Sequence, residues 1–184
     1  MKIRAAVVSD APRLAQISAA TFALACPPST PQADLDAYIA EELTAARFEA
    51  HLACSTKRVF VAEADDAVVG YLMLSEERAP AEVSAMRPLG LQRLYVLQPY
   101  HGSGLAQALM ARALQDAVDQ GCDVLWLSVS VQNDRGLAFY RKHGFEVVGE
   151  QRFQVGADIH RDSVMCRRVE ASADTPTDAL ATAR

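Results

Sequence analysis

Residues 91–114 read LQRLYVLQPYHGSGLAQALMARAL, and this stretch decides the fold. Its first part, Leu91 to Leu97, reads as a strand: Leu94 and Val96 share one face, Arg93 and Tyr95 the other. The apolar step from Leu91 to Leu94 is three residues, not two. That predicts a bulge or a bend, which leaves backbone groups unpaired. Pro99 then stops the ladder. After His101-Gly102-Ser103-Gly104-Leu105-Ala106 a helix begins. Leu105, Leu109, Ala113 and Ala117 form one row; Ala106, Met110, Leu114 and Val118 form the adjacent one.

A strand, a tight glycine loop and a helix N-terminus make an anion site. The N–H groups of the first turn have no partner of their own, and the helix dipole adds partial positive charge. Gly102 and Gly104 let the main chain approach a phosphate with no Cβ in the way. The natural ligand is a pyrophosphate; the same turn without any ligand is the plainer reading. The spacing excludes two phosphate loops. No Lys-Ser or Lys-Thr follows the second glycine, so it is not a P-loop, and Gln107 stands where G-x-G-x-x-G needs its third glycine.

Working outward, Ile3 to Val7 is the expected first strand. Ser9 or Asp10 caps a helix with Pro12 in its first turn, and Pro27-Pro28 ends that element. A second helical region runs from about Thr30 to Leu52. It is acidic, through Asp34, Asp36, Glu41, Glu42 and Glu49: a solvated face, or one wall of a cation-accepting cleft. Val59 to Ala64 and Val68 to Leu74 form a hairpin around Asp65-Asp66-Ala67. Residues 76–90 read as a loop. Gly121 closes the helix that starts near Leu105. Val124 to Val131 is a buried strand, Asn133-Asp134 starts a short helix over Arg135 to His143, and Phe145 to Val148 and Asp162 to Arg168 are the last strands. Residues 1–169 form one domain, and residues 170–184 a disordered tail.

The chain has 184 residues, half of them hydrophobic, with net charge −5 and pI about 5.3. One full core is within reach. The charge excludes a basic nucleic-acid surface. No apolar run approaches the ~18 residues of a membrane span. The N-terminus MKIRAAVVSD lacks a signal-peptide core, so a cytoplasmic protein is expected. Cys26, Cys54, Cys122 and Cys166 are scattered, with no metal spacing; reduced, mostly buried thiols and no metal site are expected.

The strand ending near Val96, the proline and the loop resemble motif A of the GNAT acyl-CoA N-acyltransferases. That family carries [Arg/Gln]-x-x-Gly-x-[Gly/Ala]. His101 takes the first position and departs from the pattern, Gly104 is the central glycine and Ala106 the small last residue. VSVQNDRGLAFYRKHGFEVVG resembles motif B, with Asn133, then Tyr140 on a helix, then Gly144-Phe145. The resemblance implies a single-domain α/β fold whose mixed sheet, flanked by helices, splays between its central strands. It implies an acetyl-CoA-dependent N-acetyltransferase. Leu94, Tyr95 and Val96 would pair with the pantetheine arm. His101, Gly102, Ser103, Gly104, Leu105 and Ala106 would cradle the pyrophosphate. Asn133 would bind the arm or merely cap a helix. Tyr140 would protonate the departing thiolate. Arg141 and Lys142 would meet the 3′-phosphate of the coenzyme or, as the plainer reading, form a solvated face.

The base is left among Glu76, Glu77, Gln92, the carboxylates of 34–49 and a water chain. The ending GEQRFQVGADIHRDSVM is similar to PaiA-like acetyltransferases, which resemble polyamine acetyltransferases. In that subgroup the segment reads F-x-V/I-G-D/E-x-x-Q-T-D; Asp158, His160 and Arg161 stand in it here, and the Gln-Thr positions differ. The resemblance points to a small primary amine as acceptor, a polyamine such as spermidine among them. A protein or peptide amine, and an acetyl-CoA-binding module without turnover, are the alternatives. A homodimer is compatible with the family.

Overall fold

The computed structural model describes residues 1–156 and 158–169; the tail expected from residue 170 lies outside them. The strands are β1 (Lys2–Ala5), β2 (Lys57–Ala64), β3 (Ala67–Ser75), β4 (Pro88–Val96), β5 (Val124–Ser130), β6 (Glu146–Val155) and β7 (Asp158–Arg168). The helices are α1 (Ala11–Thr21), α2 (Gln32–Glu42), α3 (Ala45–Ala53), α4 (Leu105–Asp119) and α5 (Asp134–Lys142). The strands form one sheet in the order β1-β2-β3-β4-β5-β7-β6. Among the described residues only β4 and β5 pair in parallel; the other pairs are antiparallel.

Period-two alternation along the central strands divides two hydrophobic layers. Val59, Val61, Tyr71 and Met73 point to one face, where Leu14, Ile17 and Phe48 of α1 and α3 cover them. Phe60, Ala62, Leu72 and Leu74 point to the other, under α4. The expected row on α4 is the one that is buried: Leu105 is 2% exposed, and Leu109, Ala113 and Ala117 are 0% exposed. Gly121, at φ +65°, follows the end of α4 in the left-handed conformation that a C′ glycine supplies.

Four expectations are corrected. β4 starts at Pro88, within residues 76–90 where a loop is expected. Asp10 stands at the N-cap of α1 but makes no cap hydrogen bond to that helix; its carboxylate accepts from Arg4 and from Val7 N. The acidic region is two helices, because Leu43 leaves helical geometry and Thr44 starts α3, its Oγ1 accepting from Arg47 N at 3.3 Å. The last strands are longer than expected and make a full β6–β7 hairpin.

Where β4 passes the middle of the sheet, two irregularities coincide. Met73 pairs with Arg93 but Leu74 with Leu91, so Gln92 is the extra residue of a bulge, where the three-residue apolar step put it. On the other side β4 pairs with β5 only through Pro88–Val124, Leu89–Leu125 and Gly90–Trp126. Beyond Gly90 the two parallel strands part, and the β5-facing edge of β4 from Leu91 to Val96 carries no ladder.

Candidate active site

The parting of β4 and β5 opens into a cavity of about 930 Å³. At one end lies the glycine loop. A short 3-10 turn over Gln98–Tyr100 carries the chain off β4, and Gly104 (φ +88°) occupies the N-cap position of α4. Gly102 (φ +82°) and Gly104 both need a conformation that side chains disfavour. A Cβ at Gly102 would meet nothing within 4 Å, and one at Gly104 only Gln107 Oε1 at 4.0 Å, so both face open space. Among the described residues neither glycine's N–H has a hydrogen-bond partner. Free N–H groups over open space at a helix N-terminus can receive an anion, with room for phosphate groups.

His101 ties the loop to the strand. Its Nε2–H donates to Val96 O at 2.8 Å, which leaves Nδ1 to accept from Arg135 Nη1 at 2.9 Å. Arg135, on α5, thus brings a guanidinium to the loop where the family's usual Arg or Gln is missing. Of the other loop residues, Ser103 is exposed and donates its hydroxyl to Tyr100 O at 2.6 Å, and the Leu105 side chain lies in the core. The Ser103 N–H also goes to Tyr100 O, at 3.3 Å, so of these two only the Leu105 main chain is open to the loop. Asn133 caps α5: its Oδ1 accepts from Gly136 N at 2.8 Å, and a Cβ at Gly136 would fall 2.9 Å from the Asn133 amide.

Midway, Tyr140 lines the cavity from α5. Phe139 and Phe145 hold its ring edge-on, with centroids 5.4 and 5.8 Å away. Burial pushes its phenol up to about 12, so it is a proton donor at neutral pH and never a base. At the point where the strands part, the buried Trp126 Nε1–H has no partner among the described residues. Gly90 makes room for this indole, since a Cβ there would touch ring carbons at 3.1 Å.

The far end is built of side chains. Phe22 stacks on Tyr38 at 4.5 Å, and Phe153 of β6 meets Tyr38 edge-on at 5.9 Å. Among the expected base candidates, Glu42, Glu77 and Gln92 line the cavity. Glu42 is held by Arg47 at 3.0 Å. Glu77 is held by Lys57 at 2.9 Å, and that ammonium keeps it below the usual carboxylate range. Glu76 is bound to Arg58 at 2.7 Å.

A residue that the sequence reading passed over is better placed. Asp162, on β7, is 7% exposed, lines the cavity and accepts a hydrogen bond from Ser128. Burial raises its carboxyl, with His160 and Ser128 acting the other way. Its one sequence signal was the closing Asp of the F-x-V/I-G-D/E-x-x-Q-T-D segment, which Asp162 matches. Beside it, the Cys26 thiol is pushed up to about 11 by burial and by the Asp162 charge. All four cysteines are free and half-buried. Among the described residues no cluster of three or more His, Cys, Asp or Glu could hold a metal, and no helix is long and apolar enough to cross a membrane.

Comparison with known proteins shows the family and the fold. The model of the acetyltransferase (GNAT) family matches residues 23–145. An uncharacterized N-acetyltransferase of Mycobacterium tuberculosis is 36% identical over 162 residues, 88% of this chain and 99% of that protein. The crystal structure of PaiA N-acetyltransferase from Thermoplasma acidophilum, in complex with coenzyme A, is similar at a TM-score of 0.73. It is 20% identical, covering 91% of this chain and 98% of that one. The structure of yncA from Salmonella typhimurium, with its cofactor acetyl-CoA, is similar at 0.66 and 20% identity, covering 97% and 99%. The chain belongs to the GNAT family and is an acetyl-CoA-dependent N-acetyltransferase.

Proposed function

We propose that the chain transfers the acetyl group to a primary amine of a small molecule by direct attack within a ternary complex. One observation carries this reading: a single cavity joins the glycine loop, the open edge of β4 and Tyr140 to a chamber that holds the buried Asp162. The loop and β4 are assigned to the coenzyme, the chamber to the acceptor. The bound coenzyme supplies an activated thioester.

Each residue then has a task that its surroundings permit. The N–H groups of Gly102, Gly104, Leu105 and Ala106 face the pyrophosphate, with Arg135 as a nearby cation, while the Ser103 N–H stays with Tyr100 O. The unladdered edge of β4 over Leu94, Tyr95 and Val96 pairs with the pantetheine amides. A freed N–H there, or the Trp126 indole, receives the carbonyl oxygen as it gains charge. Asn133 keeps its amide N–H groups for the arm while its oxygen caps α5.

Asp162 receives the ammonium group of the acceptor and takes one proton from it. The neutral amine attacks the thioester carbon; the C–N bond forms, the C–S bond breaks, and the sulfur leaves as a thiolate that takes up the proton the amide nitrogen sheds. Tyr140 donates a hydrogen bond to the sulfur. Its acidity, about 12, lies above the ~8.5 of a free thiol, so full proton transfer is uphill and the hydrogen bond is the useful part. Raising Asp162 toward neutrality makes it a stronger base than Glu77, whose carboxyl is lowered.

The likeness to PaiA-like proteins puts spermidine first on the list of acceptors. The test is a panel of polyamines, amino acids and peptides, with acetyl-CoA saturating and thiol release recorded. Release above the acceptor-free rate with a small amine is expected. Acetyl-CoA binding without release on any amine would leave only a binding module.

A further inference from the structure

We propose that the acceptor carries a carboxylate beside its amine, and that Arg93 binds this carboxylate. This rests on the reading of the chamber as an acceptor site. It departs from the polyamine suggested by the resemblance.

Arg93 sits on β4 next to the bulged Gln92, lines the cavity and is half-buried. Its direct contacts are neutral, although Glu42, Glu77 and Lys57 line the same cavity. The guanidinium lies 5.7 Å from the Phe48 ring centroid, its Nη1 is 3.9 Å from Met73 Sδ, and it hydrogen-bonds to the Tyr38 hydroxyl. Among the described residues no carboxylate pairs with it. The contrast with its neighbours is sharp. Arg4 holds Asp10 and Glu63, both at 2.7 Å. Arg58 holds Glu76 at 2.7 Å and Asp116 at 2.6 Å. Lys57, the other cation of the chamber, is taken up by Glu77 at 2.9 Å. Arg93 alone among these keeps its charge uncompensated in a partly dry place.

A cation withdrawn from water without a counter-ion is costly, and the chain meets that cost elsewhere with carboxylates. Here the counter-ion has to come from outside. Arg93 presents a planar fork of donors, whose match is a carboxylate taken bidentately. The coenzyme phosphates are poor candidates: Arg93 lies about 10 Å along the strand before Val96, and the glycine loop starts beyond that.

The amine has its own partner. Asp162, Tyr38 and Arg93 line the same cavity, and Arg93 hydrogen-bonds to the Tyr38 hydroxyl. An ammonium toward Asp162 and a carboxylate toward Arg93 describe an amino acid. A polyamine would instead set its second ammonium near Arg93 and Lys57. His51 brings no charge to either group, because burial first, then Lys57 and Arg93, push it down to about 4.

The test pairs acceptors that differ only in the carboxylate: methionine with methioninamide, lysine with cadaverine, and spermidine alongside. We expect kcat/KM to favour the carboxylate member by at least about tenfold. Arg93→Gln should raise the KM for methionine and erase that preference. Arg93→Lys, which keeps the charge but not the fork, should restore part of it. A preference for spermidine or cadaverine, or one that survives Arg93→Gln, overturns the assignment. A second measurement separates it from the turnover reading. Binding of N-acetylmethionine and of N-acetylmethioninamide to the CoA-loaded protein needs no catalysis. If no amine releases thiol but N-acetylmethionine still binds at least tenfold better, the transfer reading fails and the Arg93 site stands. Equal binding of the two removes the site.

Discussion

The end of the cavity assigned to the coenzyme is main chain, offered by one continuous stretch from Leu94 to Ala106 with α5 beside it. The end assigned to the acceptor is side chain, gathered from α2, β2, β4, β6 and β7. A backbone site requires glycines where φ is positive and open space above them, and Gly102 and Gly104 meet both conditions. A side-chain site requires that residues far apart in sequence converge; Tyr38, Arg93 and Asp162 do so only after the sheet has formed. The first kind is insensitive to most substitutions and fatally sensitive to a few. The second is tuned residue by residue, and this is where relatives of one fold can take different acceptors.

The largest effect should come from Gly104→Val, which tests the main-chain end. The φ of +88° already disfavours any side chain, by about 1–3 kcal/mol, and the new methyl groups would enter the open space over the loop. Affinity for acetyl-CoA should fall at least about a hundredfold, roughly 2.7 kcal/mol, by titration calorimetry. Circular dichroism checks that the fold survives. An unchanged affinity in a folded variant would mean that the phosphates do not use this loop.

Next is Tyr140→Phe, at the border between the two ends. The substitution keeps the ring between Phe139 and Phe145 and removes only the hydroxyl. Turnover at saturating substrates should drop by about ten- to a thousandfold while acetyl-CoA affinity holds, the signature of an interaction made in the transition state. Because burial raises the phenol to about 12, the basic side of the wild-type pH profile should show no loss from Tyr140 up to about pH 11. Equal turnover in the two proteins would mean that water serves the thiolate.

What was legible in the sequence follows the same division. The bulge at Gln92 was visible as a broken period, and the α4 row and the glycine loop are contiguous patterns. The break between α2 and α3 was not visible, since Leu43-Thr44 carries neither Gly nor Pro and one Thr hydroxyl makes the cap. β6 was read too short because it is an edge strand: from Gly149 to Gln154 it alternates only between half-buried and exposed, and its half-buried positions include Gly149 and Gln151, which carry no apolar signal. Asp162 and Arg93 lie inside strands, in the middle of ordinary alternation. Nothing local separates a charge turned into a cavity from one turned to solvent.

A smaller effect, at the side-chain end, is expected for Asp162→Asn. With the base removed, kcat/KM for the acceptor should fall about ten- to a hundredfold, and the acid limb of its pH profile should vanish. The stability change runs the other way. The folded-state carboxyl is raised, so the folded protein holds this proton longer than the unfolded chain does. Stability is therefore lost as pH climbs from the ordinary carboxylate value through the raised one. Asp162→Asn avoids that loss and should melt higher than wild type at pH 7, by differential scanning calorimetry. A variant that is less stable and fully active would make Asp162 structural.

The smallest effect belongs to His101, and it sharpens the comparison because His101 is a side chain inside the main-chain end. Its Nε2–H secures Val96 O at 2.8 Å, and its Nδ1 accepts from Arg135 at 2.9 Å. Glutamine can reproduce both contacts, its amide N–H donating to the carbonyl and its oxygen accepting from Arg135. His101→Gln should therefore stay within about threefold of wild-type kcat/KM for acetyl-CoA, less than 1 kcal/mol. Arginine reproduces only the donor and brings a second guanidinium against Arg135, where like charges in a partly shielded site repel. His101→Arg should lose more than His101→Gln, and the loss should shrink as salt is raised. The steady-state kinetics of both variants at low and high ionic strength decide the matter. If arginine is tolerated as well as glutamine at low salt, Arg135 has swung away to the phosphates, and His101 only pins the strand. If glutamine fails as badly as arginine, the imidazole has a role beyond these two hydrogen bonds.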